Sequence, residues 1–305
     1  MAVRRRPDAR RAARLADLPG VRDLAGLGRE MSPLGRAVAI ASAVFLVIVV
    51  LAAVLAPLLA PYPAQGAGQA NPLAILRPPS PAHLLGTDDE GRDLLSRLLY
   101  GAWPSLWVSV AVVGFSIVAG ALVGAVAGYL GGPVEMLLMR VTDFFLAFPS
   151  LLLAIVVATV IGPSLENVVI SLAVTWWPWY ARLVQAQAGT LRDAAFVRSA
   201  RVSGVGSWGI VLRHIVPNTL TPMIVQATSD LGSVVIAAAG LSYLGLGAQP
   251  PAADWGAMVS QGEPYILAQW WYVTFPGLAI LLTAVAFNLL GDALRDLTDP
   301  SVRRS

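Results

Sequence analysis

Residues 37–60 form a run of 24 positions without a charged side chain. A helix of that length, rising ~1.5 Å per residue, crosses the ~30 Å hydrocarbon core of a bilayer. In lipid every backbone N–H and C=O must find its partner within the protein, so the run reads as a helix. Apolar runs at 104–130, 137–161, 168–187, 220–246 and 269–290 repeat the theme. The expectation is an all-α polytopic membrane protein with six transmembrane helices. Composition agrees: 56% of the 305 residues are hydrophobic, only 13% are charged, and mean hydropathy is +0.68. That is too apolar for a soluble domain.

Charge sets the expected orientation. Residues 1–36 carry nine Arg against four acids, and the reading favours a disordered cytoplasmic tail over a basic helix lying on the membrane. The segment 181–216 carries Arg182, Arg192, Arg198, Arg201 and Arg213 against Asp193, a net charge of +4. Segments 61–103 and 248–268 are net −1 and −2. Cationic loops stay on the cytoplasmic side, which puts both termini in the cytoplasm. The domain plan is then a basic tail 1–36, a first span 37–60, an extracytoplasmic loop with an interfacial helix 61–103, a five-helix core 104–292 with a cytoplasmic loop at about 190–217, and a cytoplasmic tail 293–305.

Several chemistries are excluded. The chain has no lysine, so a phosphate-binding GxxxxGK[ST] loop is absent. If nucleotide drives the function, another chain binds it. There is no cysteine, hence no disulfide framework or thiolate metal site. No HExxH, dinucleotide-binding Gly motif or Ser/His/Asp arrangement supports an intramembrane enzyme.

The outer loop contains HLLGTDDEGRDLLSRLLYG, with His83, Asp88, Asp89, Glu90, Arg92 and Asp93 close together. A metal or acid–base site is the lesser reading. The greater is a turn into an interfacial helix at Leu94 to Tyr100, its N-terminus capped by acids from Asp88 to Asp93. In the second span, Gly120, Gly124 and Gly128 share a helix face where a neighbour can approach closely. Pro149 inside the third span predicts a kink. The fourth span carries Trp176, Trp177, Pro178, Trp179 and Tyr180 near its middle. Either that span is shifted, or these aromatics line an internal path. Asp230 lies deep in the fifth apolar run, and an intramembrane carboxylate is a functional candidate by default.

The stretch FVRSARVSGVGSWGIVLRHIVPN, 196–218, is read as two short helices turning at Gly204, where glycine tolerates φ > 0. Pro217 suits the first turn of the following span. A basic cytoplasmic loop is the plain reading. The Gly and Pro spacing points further, to the place where a soluble partner grips a membrane protein.

Four stretches carry a family resemblance: LGTDDEGRDLLSRLLYGA at 85–102, FLAFPSLLLAIV at 145–156, the loop 198–217, and GLSYLGLGAQPPAADWG at 240–256 followed by FPGLAILLTAVAFNLLGDALRDLTDP at 275–300. Together they resemble the permease subunits of ABC-type dipeptide, oligopeptide and nickel importers, most of all the second (C-type) permease subunit of a dipeptide system. The resemblance implies a type I importer permease fold in the bacterial cytoplasmic (inner) membrane. It assigns Gly86, Thr87, Asp88, Gly91, Arg92 and Asp93 to the family's outer-loop signature. It assigns Arg198, Ser199, Ala200, Arg201, Gly204, Val205, Trp208, Arg213, His214 and Pro217 to the loop that couples to the ATPase. Arg198 and Ser199 stand where the family has Glu-Ala, so a base replaces the family's acid at the first position. Arg213 and His214 match the family's Arg-His. Ile236-Ala237-Ala238 is apolar where many relatives carry an acid, and Asp230 has no matching position.

What the resemblance implies is uptake by alternating access, with no catalysis in this chain. A second, similar permease subunit completes a heterodimer. Two ATP-binding subunits hold ATP and Mg, and an extracytoplasmic solute-binding protein delivers dipeptides or short oligopeptides. Nickel complexes, haem or glutathione are the alternative cargoes. No nucleic acid is involved, and membrane lipid surrounds the spans. Trp176, Trp179, Asp230, Gly120 and Gly124 are the candidates for the translocation path. The competing class, an ion-driven secondary transporter, usually shows inverted repeats and paired midplane charges. The sequence has neither.

Overall fold

The computed structural model describes residues 33–298. The tails 1–32 and 299–305, which hold most of the two expected cytoplasmic tails, lie outside the described residues. Within them the protein is helical, and its one β feature is an isolated bridge between Thr87 and Asp93. Helix α1 is Pro33–Val54, α2 Leu94–Leu130, α3 Gly132–Leu146, α4 Ser150–Ile161 and α5 Leu165–Leu191. Helices α6 (Ala195–Val202) and α7 (Ser207–Ile210) are short. A π-helical turn, Val211–Ile215, joins α7 to α8 (Val216–Tyr243). Helices α9 (Trp255–Gly262) and α10 (Trp270–Thr298) complete the fold.

Four segments are long and apolar enough to cross a membrane: α1, α2, the continuous run Ser207–Tyr243, and α10. Helices α3 and α4 make a fifth span if taken together. At 27 residues α5 is long enough as well, but Arg182, Gln185 and Gln187 make it more polar.

Three boundaries differ from the sequence reading. The interfacial helix at 94–100 is not separate. It runs into the second span as one 37-residue helix with Pro104 inside. The third span does not merely kink at Pro149. It breaks into α3 and α4, which meet at 85°. A residue before proline is pushed out of the α region, and Pro149 itself is extended at ψ 119°, so the helix ends and restarts. Finally, α8 starts at Val216 with Pro217 in its first turn, but no loop precedes it, since α7 and a π turn run directly into it. A proline ring clashes with the carbonyl four residues back. Here the turn before it bonds at wider spacing, with Val216 N–H donating to Val211 O.

The main core joins α2, α4, α5 and α8. Val112 and Ala125 of α2, Ala158 of α4, Leu172 and Val184 of α5, and Met223 and Leu241 of α8 are fully buried there. Its tightest seam is between α2 and α5. A Cβ at Gly120 would strike Tyr180 Cβ and Ala181 N, and at Gly124 it would strike Ala181 O and Gln185 N. At Gly128 it would lie 2.5 Å from Gln185 O. These glycines therefore let two helix backbones touch. As path-lining candidates Gly120 and Gly124 are corrected: both are buried, and α5 occupies the space beside them. A second cluster, with Leu94, Trp255, Met258, Trp271 and Tyr272 buried, holds α2, α9 and α10 together under the loops at the other end.

Candidate functional site

The segment at 192–217 turns its apolar side inward. Val197 of α6 is fully buried, Ala200 and Val205 pack on the core, and Ile210, Val211 and Ile215 are buried. Helix α6 closes with two bonds: Val205 N–H donates to Ala200 O at 3.1 Å, and Gly204 N–H to Arg201 O at 3.1 Å. This 6→1 and 5→2 pair is a Schellman cap, which needs a left-handed residue. Gly204 supplies it at φ +81°, with nothing within 4 Å of where a Cβ would lie. Conformation, not space, demands glycine here.

The outward side carries Arg198, Val202, Trp208, Leu212 and Arg213, all exposed, with Val202 at 89% and Trp208 at 65%. Of the other residues in this group, Ser199 and Pro217 are exposed and His214 is half-buried against Phe196, their ring centroids 6.4 Å apart. Arg201 ties the loop to the end of α2, its guanidinium carbon 5.5 Å from the Tyr129 ring centre. Arg192 lies against Gly131, at the turn between α2 and α3. An exposed Trp and two Arg beside bare Val and Leu have the composition of an interface core.

The opposite end is built the other way. Asp88 accepts from Arg92 Nε at 2.6 Å and from Arg92 N–H at 2.7 Å, and both side chains are buried. Arg92 also reaches Glu90 at 2.9 Å. Asp93 alone caps α2, accepting from Ser96 N–H at 2.8 Å, and its other oxygen meets His83 Nδ1 at 2.9 Å. Asp88 instead organises the turn before the helix, so the expected capping role falls to one acid of the cluster. Thr87 Oγ1 donates to Ala74 O and accepts from Arg77 N–H. Gly86 and Gly91 provide left-handed turns at φ 82° and 74°.

Residues that the sequence reading passed over lock this cap to the segment that follows α8. Arg97 donates to Pro251 O at 2.7 Å and to Ala252 O at 3.0 Å. Tyr272 O–H donates to Asp89 at 2.8 Å, and Trp255 Nε1 to Leu98 O at 2.9 Å. The available signal was Arg97 itself, a lone charge in an apolar helix (LLSRLLYG). Asp254 caps α9, accepting from Ala257 N–H at 3.0 Å. Burial pushes its carboxyl above the usual carboxylate range, and hydrogen bonds from Ala257, Ser242 and Gly256 offset part of that.

Between the two ends, Asp230 is 9% exposed. Gln226 Nε2 donates to its Oδ1 at 3.0 Å, while Oδ2 is buried without a hydrogen-bond partner. Tyr180 and Trp176 of α5 stand beside it. The structure thus brings Trp176 and Asp230 together. Trp179 points away and is 59% exposed. No group of three or more potential metal ligands occurs among the described residues.

One end of this helical membrane bundle is self-bonded and the other is bare and basic. Residues 120–304 match the model of the family described as "Binding-protein-dependent transport system inner membrane component", and the chain belongs to that family. It is 44% identical over 87% of its length, and 88% of the other's, to the probable D,D-dipeptide transport system permease protein DdpC of Escherichia coli K12. It is 43% identical over 77% of both chains to the dipeptide transport system permease protein DppC of Alkalihalophilus pseudofirmus. It is 39% identical over 96% of this chain and 98% of the other to the glutathione transport system permease protein GsiD of Pectobacterium atrosepticum. Among solved structures, a chain of the inward-facing MetNI methionine ABC transporter matches with a TM-score of 0.52 at 19% identity. That match covers 67% of this chain and 97% of the other, and establishes a shared fold.

Proposed function

We propose that this chain is the second permease subunit of an ATP-driven importer of dipeptides or short oligopeptides. The names of the relatives support the cargo, and the glutathione permease among them keeps that tripeptide as the second reading. The observation that carries the mechanism is the continuous run from Ser207 to Tyr243, which joins the exposed Trp208 end directly to a membrane span. A push on that end moves the span as a lever, because no loop lies between to absorb it. Alternating access requires such a two-state element biased by ligands at separate sites.

In this reading α5 is the sixth span, both termini are cytoplasmic, and the basic loop faces the cytoplasm. Arg198, Ser199, Ala200, Arg201, Gly204, Val205, Trp208, Arg213, His214 and Pro217 form the coupling segment for two ATP-binding subunits, which hold the ATP and Mg. Gly86, Thr87, Asp88, Gly91, Arg92 and Asp93 shape the outer face that meets a solute-binding protein. A second permease subunit completes the pathway, to which Trp176, Trp179 and Asp230 contribute. The chain itself performs no covalent chemistry.

The test is reconstitution with the ATPase and permease subunits encoded beside it. Labelled dipeptide uptake that needs ATP and the solute-binding protein is the expected result. Uptake by this chain alone, driven by an ion gradient, overturns the reading. Competition by glutathione but not by dipeptides replaces the cargo and keeps the class.

A further inference from the structure

Most outward faces of the spans are apolar, as lipid requires, but one face of α8 is not. Pro222, Gln226, Ser229, Ser233, Gly240 and Tyr243 recur three, four or seven residues apart and form a stripe on one side of the helix, interrupted by Ile236. From Pro222 to Tyr243 the stripe rises ~32 Å, about the thickness of the hydrocarbon core. It is open over part of its length, while Ser229 packs against Gly291 of α10. Gln226, Ser233 and Tyr243 are exposed, and a Cβ at Gly240 would meet nothing within 4 Å.

Both ends of the stripe reach charge. At one end Gln226 and Ser229 line a cavity of about 280 Å³ with Asp292 and Arg295 of α10. At the other, Tyr243 O–H donates to Glu263 at 2.7 Å. Polar side chains facing lipid are costly, so Gln226, Ser233 and Tyr243 belong against water, ligand or a partner subunit rather than lipid. Gln226 is also held in one orientation. Its Nε2 donates to the buried Asp230, which leaves the amide oxygen as the end able to accept from elsewhere. Ser233 Oγ donates to Ser229 O at 3.4 Å and keeps its acceptor lone pairs.

We propose that this face of α8 lines the transport pathway, and that the Gln226 amide oxygen, with Ser229 and Ser233, accepts hydrogen bonds from main-chain N–H groups or the ammonium of a passing peptide. Asp230 is the positioning residue that turns Gln226. Main-chain contacts of this kind are indifferent to side-chain identity, as a carrier of varied peptides needs. The proposal rests on the importer reading above and deepens it.

The natural absence of cysteine makes the test direct. Single variants Gln226→Cys, Ser233→Cys and Gly240→Cys, with Val118→Cys and Val156→Cys as exposed apolar controls, are assembled in the full complex. Each is reacted with a charged, membrane-impermeant methanethiosulfonate in complexes shown to hydrolyse ATP. The stripe positions should react at least tenfold faster than the controls, and transported dipeptide with binding protein and ATP should slow them. Stripe and control rates that are equal, in a complex that still imports peptide, overturn the lane and leave the importer intact. Fast labelling in a complex that imports no peptide leaves the lane and removes the proposed cargo. As a second readout, Gln226→Leu should raise the KM for uptake about tenfold. Asp230→Asn should restrain Gln226 less well and give a smaller rise in KM. An unchanged KM in Gln226→Leu overturns the acceptor role.

Discussion

The two ends of the molecule hold similar numbers of charged groups and use them in opposite ways. At the cap around 74–97, Asp88, Arg92, Asp93 and Arg97 are buried, with Asp88 bonded to Arg92, Asp93 to His83 and Ser96, and Arg97 to backbone carbonyls. At the loop 192–217, Arg198 and Arg213 stand in solvent beside exposed Val202, Trp208 and Leu212. A buried charge is tolerated only with its partners in place, so the cap is a self-contained clasp. Exposed charge and bare aromatic surface add little to the fold by themselves, and their use lies in binding. Charge density alone therefore says little about role. The location of each partner, inside the chain or outside it, separates a structural cluster from a docking one.

The largest effect that tests this contrast is at the cap. Asp88→Ala strands the buried Arg92, and loss of one partner of a buried pair costs about 3–5 kcal/mol. Thermal unfolding in detergent should show a large fall in Tm and in membrane abundance. A Tm within a degree of wild type would break the contrast.

Gly204→Val comes next. A branched residue forced to φ +81° costs roughly 1–3 kcal/mol, with no steric clash to add. Stability should fall by about that amount, and coupling of ATP hydrolysis to uptake should fall with it. Gly204→Asn, which tolerates the left-handed region, should restore most of both.

A smaller effect concerns pH. The folded Asp254 carboxyl has a raised pKa, so the folded state binds its proton more tightly than the unfolded state. Its charge therefore costs stability at neutral pH, and that cost disappears as pH falls through the folded value toward the ordinary ~3.9. Asp254→Asn keeps an acceptor for Ala257 N–H but does not titrate. Wild type should gain stability relative to this variant on acidification, as read by paired melts across the acid range. A constant difference between the two would remove the burial argument.

The smallest effect on stability is expected at the exposed loop. Arg198→Glu should change stability by no more than an exposed substitution does, within about 0.5 kcal/mol. Under the proposed coupling role, its effect is read in ATPase binding. If an acid faces Arg198 there, repulsion should weaken assembly, and added salt should reduce the loss. A large drop in Tm would place Arg198 with the cap residues instead.

Apolar runs and charge asymmetry made the helical class legible, because both are local properties of the chain. The Gly204 turn was legible for the same reason: glycine's freedom at φ > 0 is a property of one residue. Pro149 was legible as a disturbance but not as an 85° break, since the angle depends on what α3 and α4 pack against. Pro217 was legible as a first-turn proline of α8, but the π turn that joins α7 to that helix was not, because no single residue announces it. The glycines of α2 were recognised as a contact face, yet their listing as path residues ignored which helix would fill the space.

By itself the sequence determined that this is an Arg-only, cysteine-free helical membrane protein, where the helices run to within several residues, and which loop is basic. Those follow from the cost of placing charge and bare backbone in lipid, which each segment meets alone. Only the tertiary structure decided that the acids of the outer loop are consumed by Arg92 and Ser96, that Arg97 holds a segment more than 150 residues away, and that the polar side of α8 is left open over part of its length. These depend on contacts between segments far apart in the chain, and a local pattern cannot say whether a polar group will find its partner there.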